Sequence, residues 1–255
     1  MVTNEKKKAS VFIAIFTQSE RDGWLAPGMA QFLVATSVAA KERNISLSMS
    51  DNIKPIDYAR NLIVQAFLAS GFDWLLQIDN DMAPPPNLID VLDRAEAHMK
   101  IIAPKTFHIA TIRNPESGRD EGGRLVEGWL PIDADSSKSE WRELAWTGTG
   151  ALFVHRQVFE RMGTAGWFRF TYDGNGQRTN FEDISFCQNA RRAGFSVWGN
   201  QEFVVDHFKT VSLALLASKG AAVCPTPLHD LQRKGITEEF RVPGKAAGTA
   251  KEEGL

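Results

Sequence analysis

The sequence predicts an α/β fold with a mostly parallel, twisted sheet covered by helices on both faces. Three observations predict it. Between residues 10 and 103, short apolar runs alternate with longer stretches whose apolar residues recur at helical spacing, giving strand, helix, strand, helix, strand, helix, strand. The runs near Val11 and Trp74 are almost continuously apolar, as strands buried on both faces must be. Each then gives way to polar residues, Thr17-Gln18-Ser19-Glu20 after the first and Asp79-Asn80-Asp81 after the second, at the strand ends where open α/β sheets hold ligands.

Composition narrows the function without naming it. A chain of 255 residues can form one large domain or two small ones. With 29 Lys and Arg against 31 Asp and Glu, the net charge is −2, which supplies no global attraction for nucleic acid. Cys187 and Cys224 are too few and too far apart for a zinc cluster or a disulfide framework, so free thiols in a reducing compartment are expected. Lys6-Lys7-Lys8 is followed by only a brief apolar run, and no stretch reaches the roughly 18 apolar residues of a membrane span. A cytoplasmic protein with no transmembrane segment is expected.

In chain order, residues 1–9 are mostly polar and are expected to be disordered. Ser10 to Phe16 reads as a buried strand, and Thr17 and Gln18 after it are placed either to hold a nucleotide or simply to begin a solvated loop. Met29 to Glu42 carries Phe32, Leu33, Thr36, Ala39 and Ala40 at helical spacing, and Ile45 to Met49 alternates as a half-buried strand does. After Asp51-Asn52, Pro55 opens a helix whose stripe of Ile56, Ala59, Leu62, Ile63, Ala66 and Phe67 ends at Gly71. Arg60 lies early in this helix, against the macrodipole, and an anionic ligand would explain it. The stretch Trp74 to Met82, with the strand carrying Asp79 and Asp81, comes next. A helix is expected from about Asn87 to Met99, then a strand at Ile101-Ile102-Ala103, then a long loop over 105–143. Strand-like halves flank Gly148-Thr149-Gly150, with a short helix from Gln157 to Met162. Glu182 and Asp183 open a helix ending at Gly194, and a last strand runs through Val205 into Asp206-His207.

Side chains two apart on a strand point the same way, so Asp79 and Asp81 can converge on one hard cation; the same triplet also suits turn chemistry. Glu182 and Asp183 likewise read either as reactive carboxylates or as acids that favour a helix N-terminus by about 0.3–1 kcal/mol each. Gly148-Thr149-Gly150 lacks the third glycine and the following helix of a phosphate-binding fingerprint, so its glycines are read as sites of close approach.

As an ordered set, these motifs resemble glycosyltransferases with the GT-A fold, a Rossmann-like nucleotide-diphospho-sugar transferase fold, and among them bacterial and phage members of family two. The resemblance rests on Ala59-Arg60-Asn61, Ile78-Asp79-Asn80-Asp81-Met82, Gly148-Thr149-Gly150, Phe181-Glu182-Asp183 with Ala193-Gly194-Phe195, and His207. It implies a catalytic domain over 10–212, with a nucleotide-binding half at 10–104, a variable loop at 105–143 and an acceptor and catalytic half at 144–212. A C-terminal extension over 213–242 and a disordered tail over 243–255 would follow. It implies Mn²⁺ or Mg²⁺ held by Asp81, Asp79 and His207, and a nucleotide-diphosphate sugar, UDP-linked by preference, lined by Thr17, Gln18, Asp51, Arg60, Asp79 and Asn80. Trp146, Gly148 and Thr149 would lie beside the donor sugar or the acceptor. Asp183 would be the general base of an inverting transfer, with Glu182 supporting it.

The acceptor is left open among a glycan, a protein and a modified DNA base, as is the oligomeric state. Two rival functions remain: a non-catalytic nucleotide- or sugar-binding module of the same fold, and a metal-dependent nucleotidyltransferase.

Overall fold

The structure, a computed structural model, describes residues 8–17, 25–113, 120–133, 139–163 and 166–208, with the side chains of 109–125 outside that description. Gln18, most of the expected N-terminal tail, the C-terminal extension and the C-terminal tail fall outside it.

The chain begins with the expected alternation: β1 (Val11–Thr17), α1 (Met29–Ala39), β2 (Ile45–Asp51), α2 (Ile56–Ser70) and β3 (Trp74–Asp79). β1 pairs in parallel with β2 on one side and β3 on the other, with Ile13 opposite both Leu47 and Leu76. Alternate residues of β1 point to opposite faces, and both faces are covered. Phe12, Ala14 and Phe16 pack with Ala59, Ile63, Val64 and Phe67 of α2. Val11, Ile13 and Ile15 pack with Met29 and Phe32 of α1. This is why β1 had to be apolar throughout. α2 ends as read, at Gly71, whose φ of 78° is the left-handed turn that glycine adopts without a Cβ penalty.

A two-residue strand β4 (Met82–Ala83) follows, then a 3₁₀ turn (Leu88–Asp90) and the single-turn α3 (Val91–Arg94). The helix expected from Asn87 to Met99 is thus realised only from Leu88 to Arg94, its first turn as 3₁₀. Ala95 leaves the helix in an extended conformation because Met99 has to reach the core and Ile101 has to start the next strand.

β5 (Ile101–Arg113) corrects a second expectation. Most of the 105–143 segment read as loop is strand: β5 pairs antiparallel with β6 (Asp120–Glu127), from Phe107 opposite Glu127 to Arg113 opposite Asp120, and β7 (Trp129–Pro131) and β8 (Trp141–Thr147) follow. Pairing satisfies the backbone here in the way an extended loop could not.

The chain closes with β9 (Ala151–His155), α4 (Arg156–Met162), the hairpin β10 (Thr171–Tyr172) and β11 (Arg178–Asn180), α5 (Glu182–Arg192) and β12 (Val197–His207). The sheet order is β2-β1-β3-β9-β5-β12-β8-β7. β2, β1 and β3 run together, as do β5 and β12, while β9 runs against both β3 and β5. The result is a mixed α/β fold on a mostly parallel sheet, with α2, α4 and α5 on one face and α1 and α3 on the other. β12 is bulged between Asn200 and Val204, where Asn200 Oδ1 accepts from the amides of Glu202 and Phe203 at 2.9 and 3.1 Å. Past the bulge, Asp206 and His207 pair with Ala83 and Met82 of β4. That pairing brings the end of β12 to the loop after β3. Among the described residues, no helix is long and apolar enough to cross a membrane.

Candidate active site

The carboxyl ends of β1, β2 and β3 lie side by side, which sets Thr17 opposite Asp51 and Phe16 opposite Asp79. Thr17 Oγ1 donates to the Ser50 carbonyl at 3.0 Å and contacts Asp51 Oδ1 at 3.1 Å. The Asp79-Asn80-Asp81 loop is tied down from four segments. Asp79 N donates to Gly150 O at 2.8 Å, Asn80 N to Phe16 O at 3.0 Å, Ala26 N to Asn80 O at 2.8 Å and Phe208 N to Asp81 O at 2.8 Å. The triplet is therefore held rigidly by its backbone, and its side chains are left to do something other than close a turn. Gly150 is the close-approach glycine: a Cβ there would stand 2.0 Å from Met82 Cε.

Arg60 is the centre of the arrangement. It is 2 % exposed, and its guanidinium lies over the Phe16 ring at 4.8 Å. Nη1 donates to Gln77 Oε1 at 3.1 Å, Nη2 to both oxygens of Asp79 at 3.0 and 3.2 Å, and Nε stands 3.7 Å from Glu182 Oε1. The anions that explain this arginine within the structure are two carboxylates of the chain itself. Through it, the end of β3 is joined to the start of α5.

Glu182 and Asp183 occupy the first turn of α5, and Asp183 Oδ1 accepts from the Ile184 amide at 2.7 Å. Helix-end chemistry accounts for that contact but not for the burial of Glu182 against Arg60. Burial pushes the carboxyls of Asp79, Glu182 and Asp183 above the usual carboxylate range, and the Arg60 charge works against that rise at all three. Cys187, one turn on in α5, is a free buried thiol pushed up to about 12 by its apolar surroundings, and is correspondingly inert.

His207 Nδ1 lies 3.0 Å from the Phe107 carbonyl and Nε2 lies 3.2 Å from Asp81 Oδ2. A carbonyl only accepts, so Nδ1 carries the hydrogen, and Nε2 faces the carboxylate as an N–H donor or, where the hydrogen is absent, as a lone pair. In the lone-pair form, two acceptors face each other and suit a cation between them. Two adjacent ligands of an octahedral ion with bonds of about 2.1 Å stand roughly 3 Å apart, near the spacing observed. Among the described residues, no group of three or more His, Cys, Asp or Glu is assembled to hold a metal ion alone. Asp81 and His207 fit a hard divalent cation as two protein ligands, while Asp79 is engaged by Arg60.

The structure thus gathers Arg60, Asp79, Asp81, Glu182, Asp183 and His207, with Thr17 and Asp51 on the adjoining strands. Gly148 and Thr149 lie on the connection from β8 to Gly150; Gly148 N donates to Gly128 O at 2.8 Å and Thr149 is buried. Trp146 is half-buried, opposite Leu130 on β7 and packed against the core. Sequence reasoning read Gly150 as a site of close approach but missed Gln77 and His108. Gln77, a polar residue inside a buried apolar run, was a readable signal. His108 carried none: it lies within electrostatic reach of both His207 and Asp183 only because β5 extends so far, and burial holds its imidazole below its usual range, with the neighbouring His207 adding to the shift.

The sequence matches no protein-family model and no curated protein. Solved structures do match. "Crystal Structure of A197 from STIV" aligns over 79 % of this chain and 86 % of its own, at 15 % identity and a TM-score of 0.50. The two chains share a fold. A structure of GalNAc-T7 with UDP, GalNAc and Mn²⁺ aligns over 80 % of this chain and 44 % of its own at 11 % identity, with a TM-score of 0.48. A glycosyltransferase involved in glycosylation of the major capsid of PBCV-1 covers 59 % of this chain and 62 % of its own at 13 % identity and 0.30.

Proposed function

We propose that the chain is a metal-dependent glycosyltransferase of the GT-A type, transferring a sugar from a nucleotide-diphosphate donor, UDP-linked by preference, to an acceptor hydroxyl with inversion. The observation that carries this reading is the Arg60 bridge, which draws Asp79 and Glu182 to one guanidinium and so sets the metal-type and base-type acids in one site. A binding module that used these acids only as turn and cap residues would have no need to bury a charged network here.

Asp81 and His207 would hold Mn²⁺ or Mg²⁺, which when bound neutralises charge on the departing nucleoside diphosphate. Thr17, Asp51 and Asn80 line the nucleotide side, with Gln18 next to Thr17 in sequence. Arg60 keeps Asp79 fixed through both of its carboxylate oxygens. Asp183 takes the acceptor proton as the bond to the sugar forms. Its raised carboxyl is more basic than an exposed aspartate, and Glu182, held back by Arg60, supports it electrostatically. Gly148 and Thr149 border the space beside Asp79, with Trp146 preceding them.

The test is thermal stability with UDP, GDP or CMP, each with and without Mn²⁺. One nucleotide is expected to stabilise the chain in a Mn²⁺-dependent way, as mass action requires. No metal-dependent shift with any nucleotide would overturn the reading. Turnover of a nucleoside triphosphate in place of a sugar nucleotide would replace it with the nucleotidyltransferase reading.

A further inference from the structure

We infer that Phe181 and the β10–β11 hairpin form the acceptor subsite, and that its occupant is the pyranose ring of a carbohydrate. The inference rests on the proposed function, because the acceptor hydroxyl is located by its approach to Asp183.

Phe181 is the residue before the two acids, and its backbone is locked. Its carbonyl accepts from both the amide and the hydroxyl of Ser185, at 3.1 and 3.0 Å, as the first turn of α5 requires. The ring is nevertheless 50 % exposed, in a chain that buries most of its phenylalanines. One side is covered by the Arg178 guanidinium at 4.0 Å, which also lies 5.4 Å from the Phe170 ring. Tyr172, opposite Arg178 in the hairpin, is 61 % exposed. The hairpin itself is braced: the Thr171 and Thr179 hydroxyls meet at 2.8 Å, and Asp173 Oδ1 accepts from the amides of Asn175 and Gln177 at 2.9 and 2.8 Å. A rigid aromatic face is therefore presented two residues from the proposed base.

What lies on such a face must carry a hydroxyl that reaches Asp183. A pyranose meets the requirement. Its axial C–H groups are weakly positive and stack on the negative face of an aromatic ring, while its rim of hydroxyls finds donors and acceptors in Tyr172 and Asn180. A base in DNA would also stack, but a DNA strand needs several free cations along its phosphates, and Arg178 is already spent between two rings in a chain of net charge −2. The acceptor is accordingly a glycan.

Wild-type protein, Phe181→Ala and Phe181→Trp, each with UDP and Mn²⁺, are applied to an array of immobilised glycans ending in hexopyranoses, with melting curves recorded to verify folding. The wild type is expected to be retained on a subset of these glycans, Phe181→Ala to bind them about tenfold more weakly, and Phe181→Trp to restore binding. Retention of Phe181→Ala equal to wild type, or no glycan retained by a wild type that UDP and Mn²⁺ do stabilise, overturns the subsite and leaves the proposed function standing. Absence of any nucleotide stabilisation removes the proposed function instead; glycan binding that Phe181→Ala weakens would then still assign a carbohydrate site to the hairpin.

Discussion

Replacing Arg60 with methionine keeps most of the side-chain volume and deletes the charge at the centre of the site. The loss can be worked from its contacts. Asp79 loses a two-oxygen partner and Gln77, which is fully buried, loses its donor. Breaking a buried ion pair from one side costs about 3–5 kcal/mol, and an orphaned buried acceptor about 1–3 kcal/mol. The lower ends sum to about 4 kcal/mol, and because the Asp79 side chain keeps 29 % exposure water recovers part of its share, leaving about 3 kcal/mol in all. For a chain of this size that lowers the melting temperature by roughly 6–12 °C. Denaturant unfolding of Arg60→Met, Asp79→Asn and the double variant reads it directly. Asp79→Asn should be far less costly, or favourable, in the Arg60→Met background, giving a coupling of about 2 kcal/mol. Additivity within about 0.5 kcal/mol would refute the bridge as an energetic link, whatever the distances.

Other consequences concern the acids and the metal. Asp183→Asn should lower turnover by about 10²–10⁴-fold with little change in donor KM, read by steady-state kinetics; an equal loss of donor affinity would assign Asp183 another role. Because burial raises the carboxyl of Glu182 in the folded chain, its contribution favours folding at low pH and is lost as pH rises from the ordinary carboxylate range through the raised value. Glu182→Gln should therefore melt close to wild type near pH 4 and increasingly above it as pH rises, a trend that a pH series of melting curves checks; a difference that shrinks with pH would contradict the sign. Asp81→Ala should abolish the Mn²⁺-dependent part of nucleotide stabilisation in a thermal shift assay.

The elements that were legible in the sequence are those whose signal is local. β1 and β3 are continuous apolar runs, and α2 carries a complete stripe and a glycine stop at Gly71. The 105–143 segment was not legible, because β5 and β6 are strands by virtue of each other. Glycines and charges dilute the periodicity of β6, so that only its pairing with the preceding β5 marks it as a strand. The helix expected to reach Met99 failed for a similar reason: Leu88, Val91, Leu92 and Ala95 have the spacing, but spacing does not reveal where the chain must turn back to the core. In the site, the Asp79-Asn80-Asp81 triplet and Glu182-Asp183 could be read because short motifs at element ends carry their own context. Arg60 was noticed for its position and given an external anion, since its two partners, Asp79 and Glu182, lie on other elements. His108 could not be found at all without knowing that β5 runs on beside β12.

The metal assignment is tested most directly by anomalous X-ray scattering at the manganese edge from crystals of the full chain grown with UDP and Mn²⁺. A single strong peak bounded by Asp81 Oδ2 and His207 Nε2, with the nucleotide diphosphate completing its shell, is the expected result. Nucleotide bound at the ends of β1 and β3 with no manganese peak beside Asp81 would contradict it.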